Sequence, residues 1–161
     1  MSSSGGHTAK KKPARKSAIR LQYGARPFRE SKAEGLEVLL VTSRQTKRWI
    51  IPKGWPISGL GPSKSAAREA YEEAGVHGDT RSRSIGRYLY GKLFDDRAVA
   101  VHCEIRVFAL RVRRQANAWP ECQQRKVRWF LPADAIEAVE EGGLKALITS
   151  FASDRTSNRK G

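Results

Sequence analysis

The stretch GWPISGLGPSKSAAREAYEEAGV, residues 54–76, decides how the remaining chain is read. Its opening is crowded with turn formers, Gly54, Pro56, Gly59, Gly61 and Pro62, which predicts a loop. Little side-chain bulk there would let a metal ion or a phosphate approach the backbone. Pro62 and Ser63 are start signals and Gly75 is a stop signal, so a helix is expected between them. Glu69, Glu72 and Glu73 fall at i, i+3 and i+4, which puts three carboxylates on one side within one turn. Ala67, Ala70, Tyr71 and Ala74 repeat as an opposite, core-facing stripe. Like charges at that spacing repel by about a few tenths of a kcal/mol per pair. A hard divalent cation such as magnesium would turn that repulsion into binding, because it prefers oxygen donors. An acidic helix face is also what an ordinary solvated face looks like, so the three glutamates alone leave both readings open.

Working outward, Ile19, Leu21 and Tyr23 alternate with polar neighbours and predict a strand over 17–28, followed by a polar turn over 29–35. The apolar run 37–42 suits a buried central strand. A basic loop, 43–47, then leads into a second strand, 48–52. Beyond the helix, 81–94 is expected as a strand, Asp95 and Asp96 as a turn, and 98–112 as a strand alternating Val99, Val101, Cys103, Ile105 and Val107. On its other face stand His102, the kind of residue more often structural than a ligand, and Glu104, a further metal carboxylate or one half of a cross-strand ion pair. Residues 113–126 read as an irregular excursion carrying Trp119, and 127–131 as a short strand. A helix follows from Pro132, ended by Gly142 and Gly143. Leu144, Leu147, Ile148 and Phe151 then mark a last amphipathic helix. This order predicts an α+β sandwich, a mixed sheet between helices. One folded domain over 17–153 is expected, between a basic disordered tail, 1–16, and a frayed end, 154–161.

The spacing Gly54, five residues, Leu60, seven residues, then REAYEEAGV (68–76) resembles the Nudix box of the Nudix hydrolases. Every fixed position is met except one: the first family glutamate falls on Leu60, and in the family that carboxylate usually supports the metal-bound face. LLVTSRQTKRWIIPKGWP (39–56) and RKVRWFLPADAIEAV (125–139) narrow the likeness to the diphosphoinositol polyphosphate and diadenosine polyphosphate hydrolases. The resemblance implies the Nudix fold and a magnesium- or manganese-dependent pyrophosphohydrolase. Glu69, Glu72 and Glu73 would hold the metal, with the Gly54 carbonyl as a backbone ligand. Arg68 would pair with a neighbouring glutamate to fix the array. Clustered carboxylates titrate together, so the base is not assigned, although Glu73 or Glu72 is favoured over Glu69. Arg26, Ser43, Arg44, Lys53 and Arg125 sit where the branch contacts polyphosphate, with Arg48, Lys92 and Arg97 as further donors. Trp55 and Trp119 would either stack on a base or pack.

Composition fits such a protein without selecting it. The 161 residues suit one domain with a proper core. Lys and Arg number 31 against 16 Asp and Glu, a formal charge of +15 that attracts nucleic acid, nucleotides and inositol polyphosphates alike. No apolar run approaches the roughly 18 residues of a membrane helix, and no membrane partner is expected. Cys103 and Cys122 are too few for a disulfide framework, which makes a cytoplasmic location with reduced thiols the expectation. Two alternatives to the hydrolase stand beside it. One is a polyphosphate- or nucleic-acid-binding module with weakened catalysis, and the other is cleavage of RNA 5′ ends aided by the KKKPARK run. Oligomeric state is left open.

Overall fold

The computed structural model describes residues 19–94 and 99–160. β1 (Ile19–Ser31) is the axis of the sheet. It runs parallel to β7 (Val99–Gln115) from Ile19↔His102 to Phe28↔Arg111. Its last residues pair antiparallel with β2 (Gly35–Thr42), through Phe28↔Val38. Its Tyr23 and Gly24 pair antiparallel with β4 (Lys53–Gly54). β3 (Trp49–Ile50) and β8 (Val127–Phe130) flank β2, while β5 (Val76–Thr80) and β6 (Gly86–Phe94) flank β7. The result among the described residues is one mixed, eight-stranded sheet.

Alternation along the strands gives that sheet two faces. Phe28 turns toward α3 (Gly142–Lys160) and meets Phe151 edge-on at 4.9 Å. Tyr23 and Phe108, 6.2 Å apart, turn to the opposite face, where α1 (Pro62–Ala74) lies. α2 (Pro132–Ala138) leads into α3. The chain is therefore an α+β sandwich, with Leu39, Leu40, Ile51, Ile105, Leu110, Leu144 and Ile148 fully buried between the layers. Each such side chain contributes about 1.5–3 kcal/mol of burial.

Several expectations need correction. β1 runs on to Ser31, and the turn shrinks to the residues before Gly35, whose φ of 78° only glycine adopts at little cost. The strand expected over 48–52 is divided, because Pro52 has no N–H to keep one ladder going; instead its carbonyl accepts from Ala25 N at 3.0 Å. β5 has no counterpart in the sequence reading, since VHGDT carries too few apolar residues to alternate. Gly142 and Gly143 open α3 instead of closing α2, and Gly143 lets α3 lie against Tyr88. That helix runs to Lys160. On α1 the buried stripe is Ser65, Ala66, Ala70, Glu73 and Ala74. Ala67 and Tyr71 are only half-buried, so the helix is turned one residue from the expected face. Residues 1–16, Asp95, Asp96 and Arg97 lie outside the described residues.

Candidate active site

Pairing of β4 with Tyr23 fixes Gly54 beneath the middle of α1. The Glu69 carboxylate lies directly on it: a Cβ at Gly54 would fall 2.6 and 2.7 Å from the two Glu69 oxygens. Any side chain there would displace the Glu69 carboxylate. The loop from Gly54 to α1 is held by Ser65, whose buried hydroxyl accepts the Ile57 N–H at 3.2 Å. Within this loop Leu60 is 36% exposed and donates its N–H to Ile57 O, so the position of the first family glutamate faces solvent.

The last turn of α1 is closed by Gly75 in the left-handed region, φ 73°, with its N–H on Tyr71 O. The excursion after β7 then folds back over that end. Ala116 N donates to Gly75 O at 2.8 Å, Glu121 N to Glu72 O at 3.0 Å, and the Trp119 indole N–H to Glu73 O at 3.2 Å. Carbonyls that a helix end leaves without partners are thus satisfied from one segment. Trp119 covers the face of Gly75, where any Cβ would strike its ring. It packs against the helix end.

That fold-back delivers two groups to the carboxylates. Arg125 is 8% exposed and makes three contacts: Nε with Glu121 Oε1 at 2.7 Å, Nη2 with Glu73 Oε2 at 3.4 Å, and Nη1 with Thr42 O at 3.1 Å. Glu121 joins the cluster as a fourth carboxylate that sequence reading missed. Its only signal was the i,i+4 spacing to Arg125 in an otherwise irregular segment. Burial, against the pull of Arg125 and Lys53 and with the help of Glu69 and Glu121, raises the Glu73 carboxyl to about 8. Glu73 lies beside a guanidinium and still holds its proton above neutrality, because loss of water outweighs a partner 3.4 Å away. Burial likewise raises Glu69 to about 7, helped by Glu72 and Glu121.

These residues suit a divalent cation in donor chemistry. Glu73 Oε1 is buried with no hydrogen-bond partner, and the crowded carboxylates lack the positive charge that would let all of them ionise. Among the described residues, no three acidic, histidine or cysteine side chains converge on one ion position in this conformation.

The other expected site residues divide sharply. Glu69, Glu72, Glu73, Gly54 and Arg125 come together, and Lys53 is near enough to lower both raised carboxyls. The Lys53 ammonium itself lies 4.0 Å over the Tyr90 ring. Arg44 is exposed beside the excursion, donating to Gln124 at 3.0 Å. Arg68 is exposed, and no ion pair holds it among the described residues, so Arg125 fixes the array in its place. Arg26 turns to the α3 face, buried, donating to Leu147 O at 2.9 Å with its guanidinium 3.6 Å over Phe151. Arg48 is tied to Glu140 and Glu141, at 2.7 and 3.4 Å. Ser43 serves its own turn, accepting the Arg48 N–H at 3.1 Å. Glu104 is half of an ion pair with Arg87 at 2.7 Å, and His102 is exposed on β7. Trp55 is 40% exposed with Arg20 6.0 Å over its ring. The Lys92 side chain lies outside the described residues.

Comparison with known proteins gives the same arrangement a family. The NUDIX domain matches residues 22–151. The mitochondrial Nudix hydrolase 12 of Arabidopsis thaliana is 30% identical over 148 residues, spanning 83% of this chain and 72% of that protein. Diphosphoinositol polyphosphate phosphohydrolase 3-alpha of Mus musculus is 37% identical over 107 residues, spanning 65% of this chain and 60% of that protein. Among solved structures, a C. elegans Ap4A hydrolase binary complex superposes with a TM-score of 0.59 at 18% identity, covering 84% of this chain and 98% of that one. The NUDIX domain of Shewanella oneidensis NrtR complexed with ADP ribose gives 0.61 at 17%, covering 92% and 98%. At such identities the likeness is one of fold alone. A family match across most of the chain, laid over this helix and its carboxylates, makes the protein a member of the NUDIX domain family and a hydrolase of pyrophosphate bonds.

Proposed function

We propose that this hydrolase is metal-dependent and cleaves a diphosphate bond in a highly phosphorylated small molecule, a diphosphoinositol polyphosphate or a diadenosine polyphosphate. The observation that carries the reading is the Glu69 carboxylate seated on Gly54 beside a buried Glu73 oxygen that has no partner. An anion-binding module gains nothing from such a negative array. Magnesium or manganese would be held by Glu69, Glu72 and Glu73 with the Gly54 carbonyl. When bound, the ion supplies positive charge to the phosphate oxygens and lets the carboxylates ionise at neutral pH. Arg125 keeps Glu73 and Glu121 in place from the protein side, since its three contacts leave the guanidinium little freedom. Glu73 or Glu72 takes the proton of the attacking water. Arg44 and Lys53, at the rim, supply cationic charge for the phosphate chain. Similarity to the mouse diphosphoinositol polyphosphate phosphohydrolase supports the inositol substrate. Cys103 and Cys122, which form no disulfide among the described residues, and the +15 charge suit a cytoplasmic enzyme working on polyanions.

A panel of nucleoside and inositol polyphosphates, assayed for phosphate release with magnesium or manganese, tests this. Replacing Glu69 and Glu73 together by glutamine should lower turnover by roughly a hundredfold or more while the chain stays folded. Unchanged release in that variant sinks the assignment.

A further inference from the structure

A separate cleft lies away from the carboxylates. It has a volume of about 430 Å³ and lies at the first turn of α1, where the 82–87 segment passes Pro62. Three arginines line it, Arg83, Arg87 and Arg106, above Ile85 and the buried ring of Phe108. Their placement follows from the strands. Arg87 and Arg106 are register partners on β6 and β7, so their side chains leave the sheet together on the α1 face. Arg83 reaches the same space from the preceding turn, whose shape is set by the Ser84 hydroxyl donating to Val107 O at 3.1 Å or Gly86 O at 3.0 Å.

These charges are poorly matched within the protein. Arg87 has Glu104, at 2.7 Å. Arg83 and Arg106 have no ion pair among the described residues. The adjoining helix end adds to the imbalance: Gly61 offers no side-chain cap, and the first turn holds no acid. The positive end of the helix dipole lies beside the cleft, which Pro62 of that first turn lines. Like guanidiniums directly opposite one another on a sheet repel. A cavity within the usual size range for small ligands, walled by three guanidinium forks and one helix N-terminus, is complementary to phosphate oxygens.

We propose that this cleft is a second anion site, separate from the carboxylate cluster, and that its ligand is a phosphate chain. Along the helix the two sites are about 10 Å apart from Pro62 to Glu69 and about 16 Å to Glu73. The second site needs neither the metal nor cleavage. A free polyphosphate and the chain of a nucleotide share this chemistry, and separate titrations distinguish them.

Calorimetry on the full chain without divalent metal, with tripolyphosphate in one arm and ATP in the other, tests the proposal. At least one of the two should bind. Arg83→Ala and Arg106→Lys should each weaken that binding by about tenfold, the second because it keeps the charge and loses the fork. Lys11→Ala removes one charge from the tail and should leave affinity unchanged. The pair Glu69→Gln and Glu73→Gln should also bind as the unaltered chain does, even though it has lost turnover. Arg83 is exposed, so an unchanged melting curve will certify that variant. Binding of tripolyphosphate alone identifies a free chain, and tighter ATP binding identifies a nucleotide. The proposal is overturned if neither anion binds, if Lys11→Ala costs as much as Arg83→Ala, if both arginine variants bind unchanged, or if the glutamine pair alters the affinity.

Discussion

At its last turns α1 carries Glu69, Glu72 and Glu73, with Glu121 folded against them and Arg125 as the arginine paired among them. At its first turn it faces Arg83, Arg87 and Arg106, has Lys64 in its own sequence, and meets no acid of its own. A helix dipole favours the reverse, anions at the N-terminus and cations at the C-terminus. Both ends of one helix are therefore charged against it, in a chain whose net charge of +15 predicts neither arrangement. The ends also differ in construction. The acidic end is buried and closed by the excursion after β7, whereas the basic end is open, with no side chain capping Gly61. The proposed cation site and the proposed anion site thus each lie where packing holds charge that opposes the helix dipole.

Removing the clasp at the acidic end should produce the largest effect on stability. Trp119→Ala deletes the ring over Gly75 and the donor to Glu73 O, and it loosens the segment that carries Glu121 and Arg125. A loss of about 3 kcal/mol is expected in urea unfolding. Pro62→Ala at the open end should cost under about 0.5 kcal/mol, as exposed positions do. Equal losses at the two ends would erase the distinction between a closed and an open terminus.

The next effect is on pH dependence. Glu69 and Glu73 have folded-state values of about 7 and about 8, above the ordinary 4.5. Between roughly pH 4.5 and 8 the folded chain thus holds more protons than the unfolded chain, and stability falls as pH rises through that window. Below it the raised carboxyls are neutral in both states. The groups around them are Glu72, Glu121, Arg125 and Lys53, of which the acids raise and the cations lower the values. Metal-free protein should lose several degrees of melting temperature between pH 5 and 8 relative to the variant with glutamine at 69 and 73. Manganese should restore more at pH 8 than at pH 6, because the ion competes with protons. A difference that stays flat across this range would show that the acidic end is not strained by its own charge.

How much of this the amino-acid order discloses depends on the range of the interaction. The span of α1 was readable because Pro62 and Gly75 act on their own neighbours, and the three glutamates because i, i+3 and i+4 is a local geometry. The buried face of α1 was ambiguous, since Ala66, Ala70 and Ala74 repeat as regularly as the stripe through Ala67 and Tyr71. Arg26 alternates with Phe28 and so shares the face that packs on α3, a placement legible from strand alternation once that helix is known to cover it. Glu121 could not be placed beforehand, because it reaches Glu72 across a chain separation with no periodic trace. Arg106 was likewise visible only as a polar position on a strand. Its meeting with Arg83 at the head of α1 exists only once β6 and β7 pair.

The smallest effect addresses the dipole itself. Lys64 is exposed in the first turn of α1 and is not among the residues lining the cleft, so replacing it changes charge with little change in packing. Lys64→Glu puts an anion where the helix end and three arginines are all positive, and should stabilise the ligand-free chain by about 0.5–1 kcal/mol at low salt. Charge complementarity of this exposed kind is screened, so most of the gain should vanish by about 1 M salt, where the Debye length is near 3 Å. The same substitution should weaken tripolyphosphate binding, since the new carboxylate competes for the potential that attracts the anion. A Lys64→Glu chain no more stable than the original at low salt would mean that the open end is already neutralised, and the symmetry between the two ends of α1 would be lost.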